Sequence, residues 1–208
     1  MSSVDPKTGL LDSEKCLWRT EEEAIASVTV KAAEIEMRSQ IQLALDNGID
    51  ITHIDSHMGT VLNPKFIPSY LKVAREFNVP AFLPRITREE LIARGLGDQA
   101  DVILNMFSKL EASGVFLIDH MIIETGGEQP DKVEYYCKLF AEIKPGLTHF
   151  LFHPAKMSSE LRAITPDSAS WRNQDYEAFT DLRIKECVKK YDIKIIGYRT
   201  IRDFIRNH

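Results

Sequence analysis

The stretch over residues 49–85 constrains the fold most strongly, because it reads as strand, loop, helix and strand in succession. Residues two apart on a strand point the same way, so His53, Asp55 and His57 would share one face of the first strand. A helix is predicted over residues 66–78, where apolar side chains recur at helical spacing, and the second strand follows it. Two strands joined through a helix run parallel, so polar groups at their ends would gather at one edge.

The same alternation continues along the chain and predicts an α/β class with parallel strands. Five strands are predicted, near residues 49–55, 79–83, 115–118, 147–152 and 193–197. The longest helices are predicted over residues 20–47, 98–113, 131–143 and 175–191. The buried stripe of the first of these would comprise Ile25, Val28, Ala32, Ile35, Ile41 and Leu45. We expect a single domain over residues 1–208.

The composition excludes several classes of partner and compartment. A net charge of -5 without a basic stripe argues against nucleic acid as a partner. No apolar run approaches the length of a membrane span, and the N-terminus lacks a secretion signal pattern, so no membrane partner and a cytoplasmic location are expected. Cys16, Cys137 and Cys187 show no paired spacing and are interpreted as reduced thiols, not as a disulfide.

The polar end of the first strand suggests metal chemistry. Imidazole nitrogen and carboxylate oxygen together are the usual donors for zinc and related divalent ions in enzymes. An aspartate two residues from a histidine can also hold the imidazole in one tautomer. The alternative is structural, with these groups bonded to loop backbone and to each other, and spacing alone leaves both interpretations open.

The segment THIDSHMGTV resembles the T-H-x-D-S-H core motif of the YdjC-like carbohydrate deacetylases, which include the chitooligosaccharide deacetylases. Two downstream segments, HFLFHPAKMSSELRAI and IIGYRTIRDF, are similar to that family in the same order. The resemblance implies a parallel-stranded, distorted TIM-like (β/α) barrel. Five predicted strands are too few to close such a barrel, so we expect it to be incomplete at the N-terminus.

The chain departs from the family at its beginning. Members of the family start with an Asp-Asp-Phe/Trp-Gly motif and continue to a Gly-x-His-Leu motif, which supply an Asp and a His expected at the metal. Neither motif occurs in this sequence, whose opening MSSVDPKTGLLDSEKCLWRT resembles the family's middle. We therefore expect the N-terminal third to be lacking and the chain by itself to be a poor deacetylase.

The resemblance implies a metal-dependent hydrolase that removes acetyl groups from N-acetylated amino sugars or oligosaccharides in carbohydrate metabolism. The implied cofactor is a divalent ion, magnesium or zinc, with His57 as a ligand. Asp55 and His153 would be the catalytic side chains, Asp55 by orienting the site and His153 as an acid or an oxyanion contact. His153 follows a predicted strand, where functional groups are expected in a barrel.

Three further residues are predicted to bind the small carbohydrate substrate. The indole of Trp18 suits the apolar face of a pyranose, or anchors the N-terminal loop instead. Arg85 would bind substrate hydroxyl or carboxylate groups, or hold loops through an ion pair, and Arg199 would contact substrate. The resemblance also implies a homodimer.

Two other functions stay open. One is a catalytically inactive, truncated barrel that binds sugar or another protein. The other is a different metal-dependent barrel enzyme, such as an isomerase or a phosphoesterase. Release of acetate distinguishes the deacetylase from the second of these, and an Asp-Asp-Phe/Trp-Gly motif encoded just before Met1 would favour the enzyme over the first.

Overall fold

The computed structural model describes residues 6–93, 95–123 and 126–207. The chain folds as two compact units. The first unit comprises Met1–Leu83, Lys109–Leu117 and Ile196–His208, and the second comprises Pro84–Ser108 and Ile118–Ile195. The single domain expected over the whole chain stays a prediction.

Helices dominate the described chain. They are α1 (Glu21–Ser27), α2 (Val30–Asp46), α3 (Ile67–Glu76), α4 (Arg88–Ala93), α5 (Ala100–Ala112), α6 (Lys132–Ala141), α7 (Ser159–Ile164), α8 (Ala169–Thr180), α9 (Leu182–Lys190) and α10 (Tyr198–Asn207). Short 3-10 helices cover Pro6–Thr8, Thr60–Leu62 and Gly97–Gln99. None of the helices in the described ranges has the length and apolar character needed to cross a bilayer.

The regular sheet of the described residues is small. Strands β1 (His120–Ile122) and β2 (Thr148–Phe150) pair in parallel, which confirms the α/β class and the predicted strand direction. The predicted strands near residues 49–55 and 79–83 meet only at a parallel bridge between Ile54 and Ala81. A sheet of two strands does not show a barrel.

The predicted strand over residues 193–197 is wrong, since these residues form no regular strand. Its apolar character indicated burial, yet Ile195 is 79% exposed. An apolar run becomes a strand only where a neighbouring segment supplies ladder hydrogen bonds. The predicted strand over residues 115–118 is similarly reduced to a single bridge from Ile118 to Pro84, and the regular strand begins at His120.

The single helix predicted over residues 20–47 is instead two helices, α1 and α2. The three-residue spacing of Thr20 and Glu23 predicts a capping box, and the structure contains it. Val28 and Thr29 are then extended, and the Thr29 hydroxyl accepts a hydrogen bond from the backbone amide three residues on, at the start of α2. A threonine satisfies a free helix-end amide better than it continues a helix, which explains the break.

This break changes which side chains of α2 are buried. Ile35 and Leu45, predicted to lie in the core, are 39% and 42% exposed. The buried residues of α2 are Ala32, Ala33, Glu36 and Ile41. A glutamate therefore occupies the inner face of this helix.

The core of the first unit forms where α2 packs against α3 and the segment before it. Its buried apolar residues are Leu10, Val28, Ala32, Ala33 and Phe66. On α3, the predicted inward positions Ile67, Tyr70, Leu71 and Ala74 are buried. A charged pair also links the two helices, because the Lys72 ammonium of α3 lies 2.7 Å from Glu34 Oε1 of α2. The Arg38 guanidinium, one turn along α2 from Glu34, lies 3.0 Å from the same oxygen.

This charged link predicts a pH dependence of stability. Hydrogen bonds from Lys72, and then from Arg38, lower the pKa of Glu34 from 4.5 to about 2. Because the folded pKa lies below the unfolded one, the stabilisation is complete above the unfolded pKa and is lost as the pH falls towards about 2. We expect urea denaturation of Glu34→Gln to show a weaker loss of stability in this acid range than the wild-type protein. The matched control is Glu22→Gln on exposed α1, and equal acid profiles for all three proteins would contradict the prediction.

The core of the second unit lies between α6, α8 and α9. Its buried apolar residues are Val133, Tyr136, Phe140, Ala178 and Ile184. Asp131, the first residue of the helix predicted over residues 131–143, caps α6 by accepting hydrogen bonds from two backbone amides. The helix predicted over residues 175–191 is interrupted at Asp181, whose carboxylate accepts from the Arg183 amide and starts α9.

The interpretation of all three cysteines as reduced thiols is wrong for two of them. Cys137 on α6 and Cys187 on α9 form a disulfide, with their Cα atoms 5.6 Å apart. Their separation of 50 residues hides a proximity that only the packing of α6 against α9 creates. Cys16 is a free thiol, as predicted, and it is exposed.

Candidate functional site

The segment THIDSHMGTV, residues 52–61, is called the motif segment. Much of it lines a cavity of about 470 Å³ in the first unit. Asp55, Ser56 and His57 line it, together with Trp18 and apolar side chains of α2 and α3. Asp55 and His57 are themselves exposed, so solvent and ligands can reach them. The structure thus brings three predicted site residues, Trp18, Asp55 and His57, to one cavity.

Hydrogen bonds hold the motif segment in place. The Tyr70 hydroxyl, buried on α3, donates to the Ile54 carbonyl at 2.8 Å and lies 3.3 Å from the Phe82 carbonyl. Burial, and to a lesser extent the Asp55 carboxylate, raises the pKa of Tyr70 far above its ordinary value, so the phenol stays a donor. Asp55 Oδ1 accepts a hydrogen bond of 2.6 Å from the Ser56 amide. The carboxylate is therefore oriented by backbone at the cavity.

His53, predicted to share a face with the other motif residues, makes a different contact. Its ring stacks on Tyr198 with centroids 3.8 Å apart and planes 4° apart, and its Nδ1 lies 3.0 Å from the Thr52 hydroxyl. Burial and then the Asp55 charge raise the pKa of Tyr198 well above its usual range. His53 is not among the described residues that line the cavity.

Arg199 forms an ion pair with Asp50. Arg202, buried one turn further along α10, pairs with the same carboxylate and donates to the Ile51 carbonyl at 3.0 Å. Together these contacts fix α10 to residues 50–51, which come directly before the motif segment. The substrate-binding role predicted for Arg199 stays a prediction.

In the second unit, Arg85 donates from Nε to Asp119 Oδ1 at 3.0 Å. The other oxygen of Asp119 accepts a hydrogen bond of 2.8 Å from the Leu147 amide. The Leu147 amide, and then Arg85, hold the pKa of Asp119 below its usual range. This arrangement matches the ion-pair alternative for Arg85, while its contact with substrate stays a prediction.

His153 also lies in the second unit, where it is partly buried. Its ring meets Trp171 edge to face, with centroids 6.0 Å apart and planes at 88°. Trp171 in turn carries the Arg172 guanidinium 4.8 Å from its ring centroid. The catalytic role of His153 stays a prediction.

The described residues do not fit a complete metal centre. Within residues 6–93, 95–123 and 126–207, no three His, Cys, Asp or Glu side chains are grouped so that they could hold an ion. His57 and Asp55 offer two donors, whereas a catalytic metal usually has about three protein ligands. The metal role of His57 and the cofactor, magnesium or zinc, stay predictions.

Sequence reasoning missed two polar residues of this cavity, Glu36 and Gln40. The Gln40 side-chain amide donates to Glu36 Oε1 at 2.9 Å. The sequence did contain a signal, because Ala32, Glu36 and Gln40 follow one another at intervals of four residues and so share one face of α2. The prediction instead placed Ile35 in the buried stripe, and Glu36 and Gln40 were therefore not assigned to the inner face of the helix.

Several proteins described as carbohydrate deacetylases have sequences similar to that of this chain. A carbohydrate deacetylase from Thermoanaerobacter pseudethanolicus is 23% identical over 202 residues, which are 97% of this chain and 73% of that protein. A carbohydrate deacetylase from Thermus thermophilus is 26% identical over 192 residues, covering 92% of this chain and 65% of the relative. A carbohydrate deacetylase from Brevibacillus brevis is 35% identical over 75 residues, covering 36% of this chain and 30% of the relative.

A solved structure shares the fold. The crystal structure of a candidate cellobiose-phosphate cleavage protein from Enterococcus faecalis V583 matches with a TM-score of 0.66 at 18% identity, over 93% of this chain and 69% of that one. A family model described as YdjC-like protein matches residues 2–190. Because this match extends over nearly all of the sequence, the chain belongs to the YdjC-like family.

Proposed function

We propose that this chain acts in the deacetylation of carbohydrates, by hydrolysing the acetamide group of N-acetylated amino sugars or their oligosaccharides. The observation that carries the proposal is the cavity that gathers Asp55 and His57 of the family motif beside Trp18. Relatives described as carbohydrate deacetylases support the same reaction class.

Hydrolysis of an acetamide needs a group that takes a proton from the attacking water and a group that protonates the leaving amine. We assign the first role to Asp55. Its Oδ1 is held by the Ser56 amide, which fixes the carboxylate while it remains exposed to water. His57 is exposed beside it. We assign His57 a role in the reaction itself, either by direct proton transfer or as the predicted metal ligand.

Trp18 is suited to hold the sugar. Its indole Nε1 donates to the Gly9 carbonyl at 2.7 Å, so the ring has a fixed position in the cavity wall. An aromatic face of fixed orientation can stack on the apolar side of a pyranose. The anchoring and the stacking interpretations of Trp18 are therefore compatible.

The test is acetate release from N-acetylglucosamine oligomers, measured with and without added magnesium or zinc. We expect slow but measurable release by the chain. Binding of the oligomers without any release would favour the inactive sugar-binding alternative. Conversion of a sugar or a phosphoester without acetate would favour the isomerase or phosphoesterase alternative. Light scattering on the same samples tests the proposed homodimer.

A further inference from the structure

A disulfide fastens a helix of the second unit that has little buried surface of its own. Only Ile184 is buried among the nine residues of α9, all of which lie in the described part of the chain. Leu182, in its first turn, is 69% exposed, and most of the remaining side chains are charged. A helix this short is marginal in water by itself, so its order depends on what ties it to neighbouring elements.

An ion pair and the disulfide tie α9 to α6, one near each end of α9. Near the start, Arg183 Nη1 lies 2.9 Å from Oδ2 of Asp131, the residue that caps α6. Both side chains of this ion pair are exposed to solvent, and an exposed ion pair contributes little to stability. Near the end, Cys187 is bonded to Cys137. The disulfide is therefore the stronger of these two ties.

The residues that follow Cys187 pack beyond this bond. Val188, Tyr191 and Ile193 are partly buried against the core cluster of the second unit. The disulfide joins positions 50 residues apart, and such a cross-link limits the conformations that the chain between and beside its ends can reach. Loss of the bond should therefore loosen residues 182–193, the α9 segment, whereas α6 remains held by its own buried side chains.

The disulfide is open to small molecules. Cys137 and Cys187 are each partly exposed, and their chain neighbours Lys138 and Glu186 are exposed. Thiol–disulfide exchange needs direct approach of a thiolate to one of the sulfurs, and exposed disulfides are among those that exchange readily. A small thiol can therefore reach this bond in the folded protein.

We infer that the disulfide between Cys137 and Cys187 is a reversible redox switch, which fastens the α9 segment when oxidised and releases it when reduced. The switch goes beyond the proposed deacetylation and involves none of the residues assigned to it.

The reductant is a small thiol of the glutathione class. Its thiolate attacks one sulfur of the protein disulfide, the S–S bond breaks and a mixed disulfide forms, while the released cysteine sulfur takes up a proton. A second thiolate attacks the small-molecule sulfur of the mixed disulfide, which frees the other cysteine and yields the oxidised dimer of the small thiol. Two electrons thus pass from two thiols to the protein, and the oxidised dimer reverses both steps.

The first experiment measures amide hydrogen exchange of the full chain by mass spectrometry, before and after reduction with glutathione. We expect amides of the α9 segment to exchange at least about tenfold faster in the reduced protein, because the cross-link is lost. Amides of α6 and, in the first unit, of α2 and α3 should stay within about a factor of two. Cys187→Ser should exchange fast in the α9 segment with and without glutathione. Cys16→Ser, which removes the free and exposed cysteine, is the matched control and should respond to reduction like the wild-type protein.

The second experiment places the native protein in mixtures of reduced and oxidised glutathione and counts alkylated cysteines by mass. The sequence contains three cysteines, of which one is free, so we expect a change from one reactive thiol to three on reduction and back on oxidation.

Three outcomes would overturn the inference: three reactive thiols after oxidised glutathione, resistance to reduced glutathione until urea is added, or unchanged exchange in the α9 segment after reduction. Faster exchange throughout α6 and α8 would also overturn it, since the bond would then hold the whole second unit together. The reduced wild-type protein needs no substitution, so it decides the point even if Cys187→Ser does not fold. No sugar enters either experiment, so their failure leaves the proposed deacetylation untouched.

Discussion

Replacing Asp175 with alanine is expected to lower the free energy of unfolding by about 3–5 kcal/mol, because it removes the carboxylate that pairs with a buried ammonium group. Asp175 is fully buried, and Lys132 Nζ lies 3.2 Å from its Oδ1 with the lysine side chain only 5% exposed. The Tyr136 hydroxyl donates to the same oxygen at 2.5 Å. Removing the carboxylate therefore takes the counter-charge from an ammonium group that otherwise donates to the Gly127 carbonyl, and takes the acceptor from a phenol, both in the core of the second unit.

The surroundings of Tyr136 explain why its hydroxyl is the donor in the hydrogen bond to Asp175. Burial, and then the hydrogen bond to Asp175, raise the pKa of Tyr136 far above its ordinary value, so the phenol keeps its proton and serves as donor. The second oxygen of Asp175 accepts no hydrogen bond within the described chain. The intact pair is thus costly to bury, and the penalty appears mainly when one partner is removed alone.

Urea denaturation followed by circular dichroism measures the effect. The matched control is Asp101→Ala, whose carboxylate is exposed and pairs with Arg88, and it should change the unfolding free energy by at most about 1 kcal/mol. The double variant Lys132→Met with Asp175→Leu removes both charges and should recover much of the loss. A loss below about 1 kcal/mol for Asp175→Ala alone would show that removing this carboxylate from beside the buried ammonium carries no such penalty.

The sequence predicted best those features that depend on neighbouring residues. The capping box of Thr20 and Glu23 is present, and Thr87 and Glu90 exchange equivalent hydrogen bonds before α4. Each of these contacts joins groups within three residues, so the local pattern contains all the information that determines it.

Features that depend on packing were not predicted. The disulfide between Cys137 and Cys187 exists because α6 lies against α9, and no spacing rule reports that neighbourhood. The inward position of Glu36 follows from the break at Thr29, which resets the phase of α2. The strand predicted over residues 147–152 contains β2, whereas the one over residues 193–197 is absent and the others are reduced to single bridges. The reason is related, since strand pairing requires a partner whose position the local sequence does not specify.

The candidate site divides in the same way. Asp55 and His57 were identified because they lie in a short motif whose alternation predicts a shared edge. Glu36 and Gln40 come to that cavity from a separate helix, through the packing of α2. Local patterns thus identify chemically suitable groups, and tertiary packing decides which of them share a cavity.

Replacing His57 with alanine is expected to reduce acetate release by at least about a hundredfold, because a group that acts in proton transfer typically contributes about a hundred- to ten-thousand-fold. His57 is exposed at the cavity, so its truncation opens no void in the core and should leave the thermal denaturation midpoint nearly unchanged. Binding of the oligomer should persist, since Trp18 and the apolar walls of the cavity remain.

His120→Ala is the matched control, because it removes an imidazole that contacts the Pro145 carbonyl at 3.1 Å in the second unit. This variant should keep acetate release within about a factor of two, since surface substitutions away from a site rarely have large effects. Comparing turnover with binding separates the explanations for His57. A fall in turnover at constant affinity would mean that His57 takes part in the reaction, whereas a fall in affinity alone would mean that it binds the sugar. Unchanged release in His57→Ala would remove it from the chemistry and make the motif a structural element that positions Asp55.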